Sequence, residues 1–465
     1  MTILTVNPVT RGNGLYAITV EVADGRVVRA ESSGLQFRGF EILIREREPA
    51  DAPYFMERIC GICSTAHGMA AAMALEDAYS VKLNRNAYLV RNLIFGADFL
   101  QNHIRHFYFL VVPDYVRLGD GPPFAPRYQR DYRLPPAVEQ RIAENYRQAF
   151  LISRACHEMV ALFAGKAPHV HGIVVGGATV QPSLSKLLEY RQLLVTVADF
   201  VERSMVPDTD TIAAAYQDYS AIGTRPRSYI SYGSFPLGGG ERMTPAGVLI
   251  DGRAEALDLA AISEDVSHAW YDPNDGPASP RVGGTHPQYG KSGAYSWVKA
   301  PRYNGKPLET GPLARLTLAG LYDRGPSTMD RIVARTRETA LICQWLNQWL
   351  DEVDPDEPIY TPHRAPLSGR GVGIIDSMRG ALGHWINIAN GQFAQYQVVT
   401  PSAWNFSPRD AAGEPGPAEA CLVGTPVADP SQPIEIGRVL RSFDLCAACA
   451  TQVISAGRRY EPFVV

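Results

Sequence analysis

Residues 15–31 alternate apolar and polar side chains on either side of Asp24-Gly25, a period of two broken by a turn pair, and predict a β-hairpin. The stretch from Phe37 leads through Glu41 to Arg58, where a turn entering a helix is expected. From His67 to about Leu110 apolar residues recur at spacings of three and four, which predicts helix, ended by Pro113. Residues 137–164 read as a long amphipathic helix closing near Gly165, and helical spacing returns at 183–204 and 327–353. Between these, 117–136 reads as a Pro-, Gly- and Arg-rich surface loop and 165–182 as an irregular connection around Gly176-Gly177. Residues 216–326, rich in Gly, Pro and Tyr, read as an irregular or strand-containing insert, and from Pro355 on short strands mix with loops. The pattern predicts an α+β fold: a core bundle of long helices with an N-terminal β-hairpin and a C-terminal β/loop region.

Length alone would suggest about three domains of roughly 150 residues. The chemistry described below joins the two ends of the chain, however, so one interlocked domain over 1–465 is expected. With 46% hydrophobic and 20% charged residues the composition is that of a globular protein. A net charge of -4 and a pI near 6.2 give no basic footprint, so nucleic acid is not an expected partner. The segment Met1–Pro8 lacks a basic n-region and a long apolar h-region, and no run approaches about 18 apolar residues. No export address and no membrane span are expected, which favours a cytoplasmic or peripheral membrane-associated protein; co-export with a partner would be the route to the periplasm.

The seven cysteines, at 60, 63, 156, 343, 421, 446 and 449, are too few and odd in number for a disulfide framework. Cys156, Cys343 and Cys421 lie in apolar or helical runs and read as small buried hydrophobes. The other four form two Cys-x-x-Cys pairs, Cys60/Cys63 and Cys446/Cys449. Two intervening residues put both sulfurs on one side of a turn, and four thiolates suit only soft or borderline metals. A structural zinc site is the commoner use of four cysteines, but its pairs usually come from one short segment. A redox disulfide would call for a thioredoxin-like βαβ setting, which is missing. Spacing therefore predicts a metal site and leaves the metal open.

Arg58-x-Cys60-Gly-x-Cys63-x-x-x-His67, together with Asp444-x-Cys446-x-x-Cys449, resembles the large, catalytic subunit of nickel–iron hydrogenases. The resemblance runs from end to end. It includes Asn7-Pro-Val-Thr-Arg11, Phe37-Arg-Gly-Phe-Glu41, His103-x-x-His106, Gly165-Lys-Ala-Pro-His169, Glu309-x-Gly-Pro-Leu-Ala-Arg315, Arg379-Gly-Ala-Leu-x-His384 and Pro401-Ser-x-Trp-Asn405. It implies heterolytic splitting of H2, with the uptake direction favoured, at a nickel–iron centre whose iron carries CO and cyanide. By position, Cys60 and Cys446 would be terminal on nickel, Cys63 and Cys449 would bridge to iron, and Cys446 would take the first proton. Arg379 would lie over the open metal position near Asp114 and Asp444, and His67 would hydrogen-bond a bridging sulfur. Ser402 would bond a cyanide, and Leu382 would pack against the diatomic ligands. The other histidines, His103, His106, His169 and His384, are expected to be satisfied core residues.

The resemblance also implies a magnesium or iron ion near the C-terminus on Glu41, the Thr400 carbonyl and Gln452. Gln452 stands where the family has histidine, which favours magnesium over iron. Once four cysteines are assigned, no cysteine set remains for an iron–sulfur cluster, so an obligate iron–sulfur small subunit is implied as electron acceptor. Maturation factors and an endopeptidase acting on a tail at 453–465 belong to the same expectation.

Further positions depart from the family pattern. The usual Arg-x-Glu-Gly-His reads Arg11-Gly-Asn13-Gly-Leu15, and asparagine cannot take up and release a proton as the glutamate would. Water, His67, Asp114 or Asp444 would have to substitute. Met378 and Leu445 stand where proline is usual. These departures keep a hydrogen sensor with slow turnover as a second reading. A metal-poor structural relative of the quinone-side subunit of complex I is a third, and the presence of all four cysteines opposes it.

Overall fold

The computed structural model describes residues 1–119 and 128–446. β1 (Thr2–Val6), β2 (Tyr16–Ala23) and β3 (Arg26–Gly34) form an antiparallel sheet in that order. The predicted hairpin is its second half, turned by Asp24 and Gly25 at φ 50° and 71°. Positive φ at both positions matches the right-handed twist of the paired strands.

After α1 (Phe40–Leu43) and α2 (Ala52–Met56), the helical run expected over 67–110 is split into α3 (Ser64–Tyr79) and α4 (Arg85–Arg105). Ser80 ends α3 in the left-handed region at φ 57°, and the Asn84 side chain restarts the helix by accepting from Ala87 N at 2.8 Å. A wide turn, His106–Val111, extends α4 to the short turn Val112–Asp114 at Pro113. α5 (Pro136–Ala164) stops at Gly165, φ 77°, as expected.

The connection around Gly176-Gly177 carries two short paired strands, β4 (Ile173–Val174) and β5 (Gly177–Ala178). α6 (Leu184–Phe200) runs past its expected end, through the wide turn Val201–Met205, into α7 (Val206–Ala215). Pro207 does not stop it because the first helical turn needs no N–H there. The Gly- and Tyr-rich insert holds β6 (Tyr229–Gly238), β7 (Glu241–Ile250) and β8 (Arg253–Glu255) in one sheet. It also holds β9 (Ile262–Asp265), paired with β10 (Ala300–Tyr303), and then α8 (Pro312–Leu318).

α9 (Thr328–Glu352) begins with a reciprocal cap between Ser327 and Asp330. The short strands expected after Pro355 are instead β11 (Gly369–Ser377), β12 (Gly380–Ala389) and β13 (Gln392–Val399), of nine, ten and eight residues. α10 (Pro401–Asn405), α11 (Pro417–Leu422) and α12 (Ile434–Ser442) follow.

α4 packs on α5 and α9, α5 on α6, and α6 on α9, which makes the expected bundle. α3 instead lies directly on β11. Gly369, Gly371 and Gly373 alternate along one face of that strand, opposite Ala70, Ala74 and Ala78 spaced by fours on the helix. A Cβ at Gly371 would sit 2.0 Å from the Ala74 carbonyl oxygen, and one at Gly373 2.0 Å from that of Ala70. Only glycine permits this approach. A second core joins the chain ends, with Val6, Ile18 and Val20 packed among Ile436, Val439, Leu440 and Leu445. The fold is thus α+β with the terminal segments interlocked.

Bundle and sheet are also joined by buried charge. Glu338 of α9 accepts from Arg315 Nε at 2.8 Å and Nη2 at 2.7 Å, while His103 Nε2 lies 2.8 Å away. Arg315 reaches on to the Ser377 carbonyl of β11 at 2.8 Å. Burial alone would raise the Glu338 carboxyl, but the Arg315 charge and its hydrogen bonds outweigh it and bring the pKa down to about 2.

Two outcomes are expected. Gly373→Ala should cost about 1–3 kcal/mol through overpacking, seen as a lower thermal midpoint, whereas Gly369→Ala, whose Cβ would meet the Ala78 oxygen at 3.1 Å, should be milder. Glu338, with its folded pKa depressed, contributes stability that is present above its ordinary value of 4.5 and lost as pH falls toward about 2. Melting followed against pH should therefore steepen across that window, and Glu338→Gln should flatten it while costing about 1.5–3 kcal/mol at neutral pH, because Arg315 loses its bidentate partner and keeps only Asp376 as a carboxylate partner, at 3.4 Å.

Candidate metal centre

The first cysteine pair is set by the start of α3. Glu57–Ile59 forms a tight turn, Cys60 is extended at φ -151°, and Cys63 is the residue capping α3, at the positive end of the helix, where thiolate is favoured. Cys446 arrives from α12 through Asp444, whose φ of 62° turns the chain back toward the N-terminal segment. Aspartate is among the few side chains that tolerate this region. The sulfurs of Cys60, Cys63 and Cys446 all lie within 4.8 Å of one another, Cys60 to Cys446 being 3.3 Å, and all three residues are buried. Cys449 and Gln452 lie outside the described residues. Cys156, Cys343 and Cys421 are buried in the cores, as expected.

The N-terminal segment clamps Cys446 from the other side. Asn13 N donates to the Leu445 carbonyl at 3.1 Å, and Asn13 Nδ2 lies 3.3 Å from Cys60 Sγ and 3.1 Å from Cys446 Sγ. Gly12 allows the approach, since a Cβ there would be 2.9 Å from a Leu445 methyl. Behind it, Asp114 accepts from Arg441 at 2.6 and 2.7 Å and from Arg11. Burial works against the Asp114 carboxylate, but the two guanidiniums hold it below its usual range.

Arg379 projects from the two-residue turn joining β11 to β12, which closes at the Ser377–Gly380 pair. Its Nε donates to Asp444 Oδ1 at 3.0 Å and its Nη2 to Asn102 Oδ1 at 2.7 Å; Nη1 is buried without a hydrogen-bond partner among the described residues. Although burial disfavours the cation, Asp444 and the three cysteine sulfurs push its pKa well up, so it stays charged. Asp444 also accepts from Asn102 Nδ2 at 2.8 Å and from Arg335 at 3.4 Å.

The expectation that Asp114 would neighbour Arg379 is corrected here. Past Pro113 the Asp114 carboxylate turns to Arg11 and Arg441, and the second group on Arg379 is Asn102, which sequence reasoning missed. The available signal was a fully buried amide on an apolar helix, directly before His103.

His67, in the first turn of α3, has Nδ1 3.2 Å from His384 Nε2, and His384 Nδ1 is 2.8 Å from the Tyr396 hydroxyl. Burial brings His67 down to about 4 against the pull of Cys446, and takes His384 well below its usual value. Both imidazoles are neutral at ordinary pH, and each carries one N–H. His103 and His106 are satisfied core residues, the latter on the Arg441 carbonyl at 2.6 Å. His169 departs from that expectation, being partly exposed with 28% of its side chain accessible. Leu382 of β12 packs in the same core as the three cysteines. Ser402 is buried in the first turn of α10, directly after β13.

Glu41 lies apart from the sulfurs, beside a cavity of about 90 Å³ also lined by Glu264, Thr285, Lys299 and Thr400. One Glu41 oxygen accepts from Val398 N at 2.8 Å, and the other takes the Thr285 hydroxyl. Lys299 Nζ is 3.8 Å from Glu41 and 3.6 Å from Glu264. The oxygens suit a hard cation, and the Lys299 ammonium already supplies one positive charge there.

The sulfur cluster fits a soft or borderline ion: three buried sulfurs converge, and Arg379 Nη1, buried without a partner among the described residues, belongs to a guanidinium that Asp444 and those sulfurs hold in its charged form. Comparison with known proteins agrees. A family described as nickel-dependent hydrogenase matches residues 38–120, 115–325 and 321–452. The chain is 39% identical to the periplasmic [NiFeSe] hydrogenase large subunit of Desulfomicrobium baculatum, over 97% of this chain and 95% of that one. It is 30% identical to the hydrogenase-2 large chain of Escherichia coli, over 97% of both. The solved Ni-Fe-Se hydrogenase of D. vulgaris Hildenborough in its reduced state superposes with a TM-score of 0.95 at 38% identity, over 97% of this chain and 99% of that one. Selenium in those names is said of those proteins; here both Cys-x-x-Cys pairs are entirely cysteine. From the sulfurs outward to the whole fold, this chain belongs to the nickel-dependent hydrogenase family, as a large subunit.

Proposed function

We propose that this hydrogenase subunit splits H2 heterolytically, in the uptake direction, at a nickel–iron centre held by Cys60, Cys63, Cys446 and Cys449. The observation that carries the proposal is the meeting of three buried sulfurs from distant parts of the chain, close enough to Arg379 to raise its pKa. When bound, such a centre supplies a Lewis acid for the hydride half of H2 and an outlet for two electrons. The residues supply the rest. Cys446 Sγ takes the proton half as the H–H bond breaks, and Arg379, fixed by Asp444 and Asn102, presents a permanent positive charge to the gas-binding face.

Cys60 would hold nickel together with Cys446, and Cys63 and Cys449 would hold it together with an iron carrying CO and cyanide. Ser402 would hydrogen-bond a cyanide, and Leu382 would wall off the diatomic ligands. His67, held by His384 at 3.2 Å, would turn its other ring nitrogen to a sulfur of the centre. Asp444 acts by holding Arg379. Asp114 acts at one remove, through the clasp on Arg11 and Arg441. Glu41, the Thr400 carbonyl and Gln452 would hold a magnesium ion, a reading supported by the oxygens around the cavity.

The overall reaction, H2 to two protons and two electrons, needs an electron acceptor outside this chain. The relatives are named as large subunits and large chains, which supports an iron–sulfur small subunit as that obligate partner, assembled with maturation factors. No helix of the described residues is long and apolar enough to cross a membrane. A periplasmic relative supports co-export with the small subunit over a cytoplasmic placement. No observation favours the sensor reading over the enzyme.

The complex purified with its small subunit should reduce a viologen dye under H2 and show infrared bands in the metal carbonyl and cyanide window that shift with the gas. Cys446→Ser should lose nickel and at least about 10²-fold of that rate, since removing a nucleophile or base typically costs 10²–10⁴-fold. Full activity in Cys446→Ser, or a nickel-loaded wild type inert to H2, would sink the proposal.

A further inference from the structure

Asn13 lies against the sulfur cluster through its side-chain amide. Its Nδ2 forms a nearly equilateral triangle with Cys60 Sγ at 3.3 Å and Cys446 Sγ at 3.1 Å, the two sulfurs being 3.3 Å apart. A thiolate offers only acceptor sites, and a primary amide offers two N–H donors and no charge. The contact is therefore attractive to both sulfurs at once and persists at every pH. A carboxylate of the same shape would add a third negative charge unless it carried a proton.

The amide is aimed from both sides. Its own backbone N–H is fixed to the Leu445 carbonyl at 3.1 Å, Gly12 lies flat against Leu445, and Arg11 is tied through Asp114 to Arg441. None of these anchors uses the side chain. The side chain is thus free to serve the sulfurs alone.

We propose that Asn13 is a positioning residue for the metal-binding sulfurs: its amide donates to Cys60 and Cys446 together, fixes their spacing and draws electron density from both. The proposal rests on the nickel–iron reading above and goes beyond it by giving this chain a neutral, non-titrating donor at its two terminal thiolates. Hydrogen bonds to ligand sulfur make the sulfur a weaker donor to its metal and raise the reduction potential of the site. Removing them should therefore shift the midpoint potential of the nickel signal to more negative values.

The direct test is pulsed electron paramagnetic resonance on the complex labelled with nitrogen-15 in asparagine only, so that His67 contributes nothing. The paramagnetic nickel state should show a nitrogen-15 coupling that vanishes in Asn13→Leu, a variant that keeps the size and the backbone bond. Redox titration of the same signal should give a more negative midpoint in Asn13→Leu and a return toward wild type in Asn13→Gln. A nickel signal without nitrogen-15 coupling in the wild type overturns the proposal. So does an unchanged midpoint in a nickel-loaded Asn13→Leu. If that variant fails to load metal, the labelled wild type alone decides. A complex with no nickel at all refutes instead the reading on which the proposal rests, so the two failures are distinct.

Discussion

One buried carboxylate closes the molecule. Asp114, fully buried near the end of the α4 helical run, holds Arg11 from the N-terminal segment and Arg441 from α12. Two cations and one anion taken out of water are costly unless their hydrogen bonds are complete, and here Arg441 makes a bidentate pair while Arg11 also caps the Leu110 carbonyl. With that clasp in place Asn13 lies along Leu445, Leu445 presses on Gly12, and Cys446 is delivered to Cys60. A site assembled from residues almost four hundred positions apart has no local turn to define it. Its geometry is inherited from the clasp and from the apolar seam of Val6, Ile18, Val439 and Leu440 beside it.

The other half of the centre depends on a backbone contact. Glycines at every second position of β11 let α3 settle onto the sheet with alanines facing it, which places Cys63 and His67 at the helix start. The same sheet carries Arg379 on its first turn, Leu382 and His384 on β12 and Tyr396 on β13. One helix and one sheet thus carry Cys63, His67, Arg379, Leu382 and His384. Rigid elements hold such groups more accurately than loops do.

Much of this was legible in the sequence where the signal was local. Asp24-Gly25 between alternating strands gave the hairpin, Gly165 gave the end of α5, and the paired cysteines gave the meeting of sulfurs. The break at Ser80–Asn84 was hidden because the apolar spacing resumes almost unchanged beyond it, and only the Asn84 cap marks the restart. The strands after Pro355 read as short because their glycines look like turn signals, whereas Gly369, Gly371 and Gly373 are there to admit a helix. Asp114 was placed near Arg379 by the family resemblance, with no local signal in the residues behind it. The amide of Asn102 takes that place, and charge reasoning alone passes over an amide. Glu41 and Thr400 meet one cavity, but the intruding ammonium of Lys299 had no signature in the sequence.

The central claim is that opposite ends of this chain close on one nickel–iron site. Anomalous X-ray scattering from crystals of the assembled complex, recorded on both sides of the nickel and iron absorption edges, tests it most directly. The account predicts one nickel peak in contact with the sulfurs of Cys60 and Cys446 and one iron peak beside it, toward Cys63 and beneath Arg379. A zinc peak alone among those sulfurs, or nickel bound elsewhere in the complex, would contradict it.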